Sequence, residues 1–355
     1  MKIIVLCFTF FCTQTVWADC APMRLDQTPG AFSQIPIHNQ ESSDLCYAYT
    51  ASQLVDAWRF SHGDTRTGHH TSAVVAGVYH ALDVEERVGG RIRATAGGAS
   101  LVSGGNIYQL IDTLRSKGSC SHEHIQAISA RANSLYVPAD GFPDPYQRFM
   151  TAIQSSHLSH EYDQLIANFQ LSDSRFCPHY IGPGLNPKFI PGILSFLREL
   201  SGAEVAVQET CRSQTIDLST IPRMNGITNQ QARANTARGF TGAYTDAVNT
   251  RLSRPNPQPV SVSYCVDFLG NKDFRKYSPD GTPRDGCEIG RHLSVIIGRR
   301  EVAGRCQFLL RNSFGPDCTD RRYDSRWRDS CQQGQFWIDA EAMAQNADEF
   351  GWLGE

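Results

Sequence analysis

Several things are missing from this 355-residue chain, and each absence removes a class of function. Beyond the first 18 residues no segment has the length and polarity of a membrane-spanning helix, which needs about 20 apolar residues. No C-x-x-C pair occurs, and Cys177-Pro178-His179 has no partners at ligand spacing, so no metal centre and no cofactor is expected. His69-His70 falls in a polar stretch and is read as a solvated pair. Charge of one sign is also lacking: 33 basic against 36 acidic residues leave a formal net charge of -3. Without a basic patch longer than Arg299-Arg300 or Arg321-Arg322, no nucleic-acid or polyanion partner is expected. No internal repeat is present, which removes solenoids and propellers.

The N-terminus is informative. Lys2 supplies a positive start, Ile3 to Phe11 a short apolar core, and Val16-Trp17-Ala18 a near small-x-small site, so residues 1–18 read as a secretory signal. Secreted or periplasmic placement follows, and cysteine usage agrees. Of 12 cysteines, ten remain after removal of Cys7 and Cys12, and in an oxidising compartment these are expected to form disulfides. If Cys46 stays out of disulfides, nine are left, an odd number. Cys265, inside an apolar strand-like run, is then expected to be a buried free thiol.

Pro22, Pro29 and Pro36 break any helix between Asp19 and Gln40, so that stretch is expected to run extended. Helical patterns follow over Cys46 to Phe60, Ser72 to Leu82 and Gly105 to Lys117, with a Gly- and Thr-rich loop at Val88 to Ala99. Further helices are expected within 145–169 and 190–200, and a short strand at 204–208. The last third changes character: Pro259 to Val266 alternates as a half-buried strand does, and His292 to Ile297, Gln307 to Leu310 and Gly334 to Ile338 continue the series. Helices first and strands later indicate an α+β protein with segregated lobes.

Two spacings carry chemistry. Gln40 stands six residues before Cys46, which opens a helix, so a carboxamide lies near a thiol at the positive helix end. Downstream, His292 starts one strand and Asn312 ends the next, with Ala303-Gly304 between them as turn residues. In an antiparallel hairpin paired residue numbers sum to a constant; pairing His292 with Asn312 centres the turn on residue 302. An imidazole is therefore expected directly across from a carboxamide.

These residues resemble the papain-like cysteine peptidases. The family's glutamine, nucleophile and following helix are similar to Gln40 and Cys46-Tyr47-Ala48-Tyr49-Thr50, and its Asn-Gly-Gly segment, whose backbone holds extended substrate, to Ser103-Gly104-Gly105. Its Gly-Pro-Val-Ser-Val strand resembles Gln258 to Val262. His292-Leu293-Ser294-Val295, Asn312-Ser313-Phe314-Gly315 and Gly334 to Ile338 are similar to its His-Ala-Val, Asn-Ser-Trp-Gly and Gly-Tyr-x-x-Ile blocks. These blocks fall in the family's order over roughly two-thirds of the chain after the signal.

The resemblance implies a two-lobed fold, a helical lobe and an antiparallel β-barrel-like lobe with a cleft between them. Residues 19–119 would form the helical lobe, 241–355 the β lobe, and 120–240 an insertion of unknown role. It implies Cys46 as nucleophile, His292 as general base and acid, Asn312 as its orienter and Gln40 as an oxyanion donor, acting on protein or peptide substrates without metal. Gly104, Gly105, Ile107, Ser263 and Leu293 would hold substrate, the last three lining an apolar side-chain pocket. The family's disulfide would join the positions of Ser43 and Val102, and both cysteines are missing. Glu41, Asp44 and Leu45 replace small residues beside the nucleophile, which would narrow or charge the cleft. Only 27 residues separate Asp19 from Cys46, so no inhibitory pro-segment is expected; the enzyme is made active or is covered by its insertion. The alternatives are an amidase or transglutaminase-type acyl transferase, or a non-catalytic binding protein on the same fold.

Overall fold

The computed structural model describes residues 20–40, 45–64, 66, 68–80, 105–133, 211–212, 214–319 and 323–354, with side chains only to 127 within 105–133. The expected signal, Glu41, Ser43, Asp44, Val102, Ser103, Gly104, the 88–99 loop, the 204–208 strand and the helices within 145–169 and 190–200 lie outside these residues.

Helix α1 spans Cys46–Ser61, α2 residues 73–80, α3 Ile107–Lys117, α4 His122–Asn133 and α5 Gly239–Leu252. Helix α1 is buried around most of its circumference, as its run of Ala, Tyr, Leu and Val dictates. Its one internal ion pair, Asp56 with Arg59 at 2.8 Å, is completed by Thr71, whose N–H and hydroxyl donate to Asp56. Helix α3 is capped by the Asn106 side chain, which accepts from the N–H groups of Tyr108 and Gln109.

The strands are β1 (Met23–Arg24), β2 (Ser119–Cys120), β3 (Thr215–Ile216), β4 (Met224–Thr228), β5 (Val260–Cys265), β6 (Arg291–Val302), β7 (Arg305–Arg311), β8 (Gln335–Asp339) and β9 (Ala347–Leu353). The main sheet is antiparallel in the order β4-β9-β5-β6-β7-β8, with β1 paired to β6, while β2 and β3 pair separately. Helix α1 packs on β6, and α5 on β6 and β9. The mixed helix and antiparallel sheet architecture is the α+β class read from the sequence. Its first long strand, β4, precedes residue 240 and pairs with β9, so the sheet begins within the stretch that carried no recognisable block.

The β6–β7 hairpin departs from the expected register in an instructive way. Val302 pairs with Arg305, so the turn is Ala303-Gly304, both at positive φ (51° and 75°), the two-residue connection that suits strand twist. A bulge between Ile296 and Gly298 then takes back part of the offset, and Val295 faces Arg311. Continued by one residue, this register sets Ser294, not His292, opposite Asn312. The slip is two residues. Because side chains alternate with period two, His292 and Asn312 still share a face, as diagonal neighbours.

Among the described residues four disulfides join Cys20 to Cys306, Cys120 to Cys211, Cys265 to Cys287 and Cys318 to Cys331, with Cα separations of 5.3–5.8 Å. They fit an oxidising compartment. Cys265 is therefore not a free thiol. It is fully buried, as its strand pattern implied, but the connection from β5 to β6 folds back and delivers Cys287 to it. Among the described residues no helix is long and apolar enough to cross a membrane.

Candidate active site

His292 is the second residue of β6, and its backbone pairs with β5, with Tyr264 directly across. Its side chain is 1 % exposed. Nε2 of His292 donates to Oδ1 of Asn312 at 2.7 Å. The direction follows from the other bonds of that oxygen, which also accepts from the Ser313 N–H at 2.7 Å and the Ser294 hydroxyl at 3.3 Å. Asn312 Nδ2 in turn donates to the Tyr323 hydroxyl at 2.9 Å. The carboxamide orientation is thus set from both ends. Phe314 lies against the imidazole with ring centroids 4.8 Å apart, and Tyr264 meets it edge-on at 5.8 Å. This aromatic cover keeps water from the His292–Asn312 bond, strengthening it electrostatically.

Gln40 is brought to the same place by a short antiparallel ladder. Its N–H donates to the Ser313 carbonyl at 2.7 Å, Asn39 bridges to Phe314, and the Gly315 N–H donates to the His38 carbonyl at 3.0 Å. The Ser313 hydroxyl donates to Oε1 of Gln40 at 2.5 Å, so the carboxamide oxygen is engaged and the orientation of its NH₂ is fixed.

Cys46 opens α1, the helix packed on β6. Among the described residues no side chain caps that end; the Leu45 carbonyl takes the N–H groups of Ala48 and Tyr49. The sulfur is at the positive helix terminus, as expected, but it is disulfide-bonded, and the side chain is 2 % exposed. The eight other described cysteines pair among themselves. Cys46 and Cys265 were both expected to stay out of disulfides, and both carry bonds.

Gly105 lies against Tyr47, the residue after Cys46: a Cβ there would sit 2.2 Å from the Tyr47 ring. The glycine is needed for that close approach. Ile107 is buried at the start of α3. Ser263 pairs with Leu293 on one side and with Glu349 of β9 on the other, so three half-buried side chains stand in a row on one face. Tyr108, next to Ile107, faces Glu349. Burial pushes the Glu349 carboxyl up, Tyr108 draws it back, and nearby Asp348 adds to the rise. The row read as apolar thus ends in an acid.

The sequence also misplaced His70, which is buried: burial pulls its pKa down, but a short hydrogen bond to Glu123 and the charge of Asp56 leave it raised. For Glu123, burial is outweighed by that bond and the Ser121 hydroxyl, which hold it down at about 2. His38 and His122, whose ring centroids are 5.0 Å apart, are lowered chiefly by burial. Ser294, Ser313, Arg311, Tyr323 and Glu349 went unread as contributors. Ser294 shares the parity of His292 and Ser313 adjoins Asn312, so both had a local signal; Tyr323 and Glu349 arrive only through tertiary folding.

No family model matches the chain, and no characterised protein matches it in sequence. Solved structures of papain-like cysteine proteases resemble it. SERA5E from Plasmodium falciparum is 11% identical with a TM-score of 0.45, covering 95% of this chain and 97% of its own. Xylellain, a cysteine protease from Xylella fastidiosa, is 13% identical at 0.44, covering 94% and 85%. The bromelain protease from Ananas comosus, solved with the E64 inhibitor, is 12% identical at 0.37, covering 91% and 94%. At TM-scores below 0.5 such likenesses bear no functional inference, which has to come from the chain's own side chains.

Proposed function

We propose that this chain is a papain-like cysteine peptidase of an oxidising compartment, in which Cys46, His292 and Asn312 cleave peptide bonds with Gln40 as an oxyanion donor. One observation carries the reading: His292, Asn312, Ser313 and Gln40 form a single buried hydrogen-bonded unit whose members come from two distant segments. Packing alone gives no reason to bury so many polar groups together, whereas acyl transfer requires this set.

The disulfide at Cys46 makes the described state latent. A low-molecular-weight thiol attacks the disulfide, a second thiol resolves the mixed disulfide, and Cys46 leaves as a thiolate while the reductant departs as its own disulfide. Helix α1 and a protonated His292 favour that thiolate. It attacks the scissile carbonyl carbon, and the oxyanion takes hydrogen bonds from the Cys46 N–H and the Gln40 amide. The imidazolium protonates the departing amine, and neutral His292 then takes a proton from the water that opens the thioester. Asn312, fixed by Ser294, Ser313 and Tyr323, holds Nε2 so that Nδ1 does this work. Leu293, Ser263 and Ile107 with Glu349 favour a substrate side chain with an aliphatic stem and a basic or hydrogen-bond-donating end.

A second reading is favoured by the same sulfur: a disulfide on a side chain that is 2 % exposed suits a non-catalytic protein on this fold. Alkylation by an epoxysuccinyl peptide, followed by intact mass and peptide mapping, separates the two. The peptidase reading expects one adduct at Cys46 after mild thiol reduction, none before it, and none in Cys46→Ala. An unlabelled Cys46 in reduced, folded protein establishes the non-catalytic reading. For the labelled enzyme, a peptide library showing no preference for basic or donor side chains removes Glu349 from the pocket.

A further inference from the structure

Arg311 precedes Asn312 and is among the most buried large side chains of the molecule, 2 % exposed. Its guanidinium makes no ion pair with a described carboxylate. Nη2 donates to the carbonyls of both Ile35, at 2.6 Å, and Pro36, the plane lies over Phe32 at 5.0 Å, and Nε is left without a partner. Burial pulls its pKa down to about 10, with only Asp26 opposing, so it stays charged at neutral pH. A buried, unpaired cation is an expensive way to hold two carbonyls, and a well-packed apolar side chain would serve stability as well or better.

What the guanidinium holds is specific. Ile35 and Pro36 lie just before His38, Asn39 and Gln40, the three residues laddered onto Ser313, Phe314 and Gly315. The extended arm is thus gripped twice by one short segment, through the Arg311 side chain and then through the backbone beyond Asn312. Pro36 has no N–H with which to join a ladder of its own, so its carbonyl is the handle that remains. The double grip makes Gln40 and Asn312 parts of one rigid piece.

We infer that Arg311 is a positioning residue: its buried charge clamps the Ile35 and Pro36 carbonyls so that the Gln40 amide keeps its place relative to Asn312 and His292. This rests on the peptidase reading above, which makes Gln40 an oxyanion donor. The molecule contains its own control. Arg299 is a similar buried clamp, donating to the Ala21 carbonyl at 3.0 Å and the Asn249 carbonyl at 2.8 Å, but it grips the arm near its start, far along the chain from Gln40.

The test compares Arg311→Met, Arg311→Lys and Arg299→Met in reduced full-length protein, alone and combined with Gln40→Ala. Arg311→Met is expected to lower kcat by about tenfold to a hundredfold with KM little changed, because a misplaced donor weakens the transition state and not substrate binding. Arg311→Lys, which keeps the charge but not the fork, should fall between. In the Gln40→Ala background Arg311→Met should cost nothing more, and Arg299→Met should leave kcat intact in either background. An equal loss of kcat with and without Gln40, or a matching loss from Arg299→Met, overturns the assignment. Amide exchange at residues 38–40 and 313–315 gives an activity-independent arm: faster exchange in Arg311→Met supports the clamp, and unchanged exchange overturns it. A wild type that stays inactive after reduction defeats the peptidase reading instead, while the exchange result still stands.

Discussion

The two halves of the candidate site are held by different kinds of bond. On the β side, His292, Asn312 and Gln40 are fixed by hydrogen bonds from Ser294 and Ser313 and by one from Asn312 to the Tyr323 hydroxyl, and covered by Phe314, a set complete without any change of covalent state. On the helical side, Cys46 sits at the N-terminus of α1 with Gly105 and Tyr47 closely packed beside it, and its sulfur is tied in a disulfide. One half is preorganised and the other is blocked. On the peptidase reading proposed above, control of such a site would need no rearrangement of the fold, only a change in the redox state of one sulfur.

Replacing Gln40 by Ala strikes the preorganised half and carries the largest expected effect, a loss of about 10²–10³ in kcat of the reduced protein, the usual cost of one oxyanion donor. A loss below tenfold would mean that the hydrogen-bonded half is built for something other than acyl transfer. Gly105→Ala probes the other half. Its Cβ would meet the Tyr47 ring at 2.2 Å. Thermal melting should therefore show a loss of about 1–3 kcal/mol from overpacking, with slower alkylation of reduced Cys46. An unchanged melting temperature would show that the packing beside Cys46 yields easily.

The smallest effect is one of pH, and it bears on the arm behind Gln40. Burial lowers His38 and His122, so both are neutral in the native protein, whereas the unfolded chain binds protons below about pH 6.5. Their contribution is complete above that value and is lost as pH falls from it toward the depressed native values. His38 is faced by Tyr49 of α1, His122 and Glu123 of α4, His70 of the preceding loop and Arg311 of β7. His70 has the opposite sign: its pKa is raised, so its contribution is complete below about pH 6.5 and is lost as pH rises through the native value. Melting followed from neutral to mildly acid pH should fall less in His38→Gln than in wild type. An identical slope would exclude His38 as the sensitive group.

Much of this arrangement was legible in the sequence because it is written in local patterns. The alternation from Pro259 to Val266 became β5, and the apolar run after Cys46 became α1. The hairpin arithmetic placed His292 and Asn312 on one face but two residues out of register, because the turn falls at Ala303-Gly304, beyond the expected centre at 302, and the bulge at Ile296, which has no local mark, takes back only one residue of that offset. Cys265 was misread because burial looks the same for a thiol and a disulfide. Strand β9 was missed because Asp348 and Glu349 interrupt its apolar pattern, and those polar residues face Lys276, Tyr277 and Tyr108 in the fold. Arg311 was passed over for the same reason: a lone arginine at a strand end reads as surface until an arm from 276 residues earlier closes over it.

The disulfide from Cys120 to Cys211 encloses a loop 91 residues apart in sequence. Proteolytic nicking anywhere between those cysteines would leave both pieces on one molecule, so a processed and an intact chain would run together under non-reducing conditions and separate only after reduction. The Cys20–Cys306 bond joins the same two pieces, so release needs cleavage together with reduction of both disulfides, and neither cleavage nor the opening of one bond releases material alone.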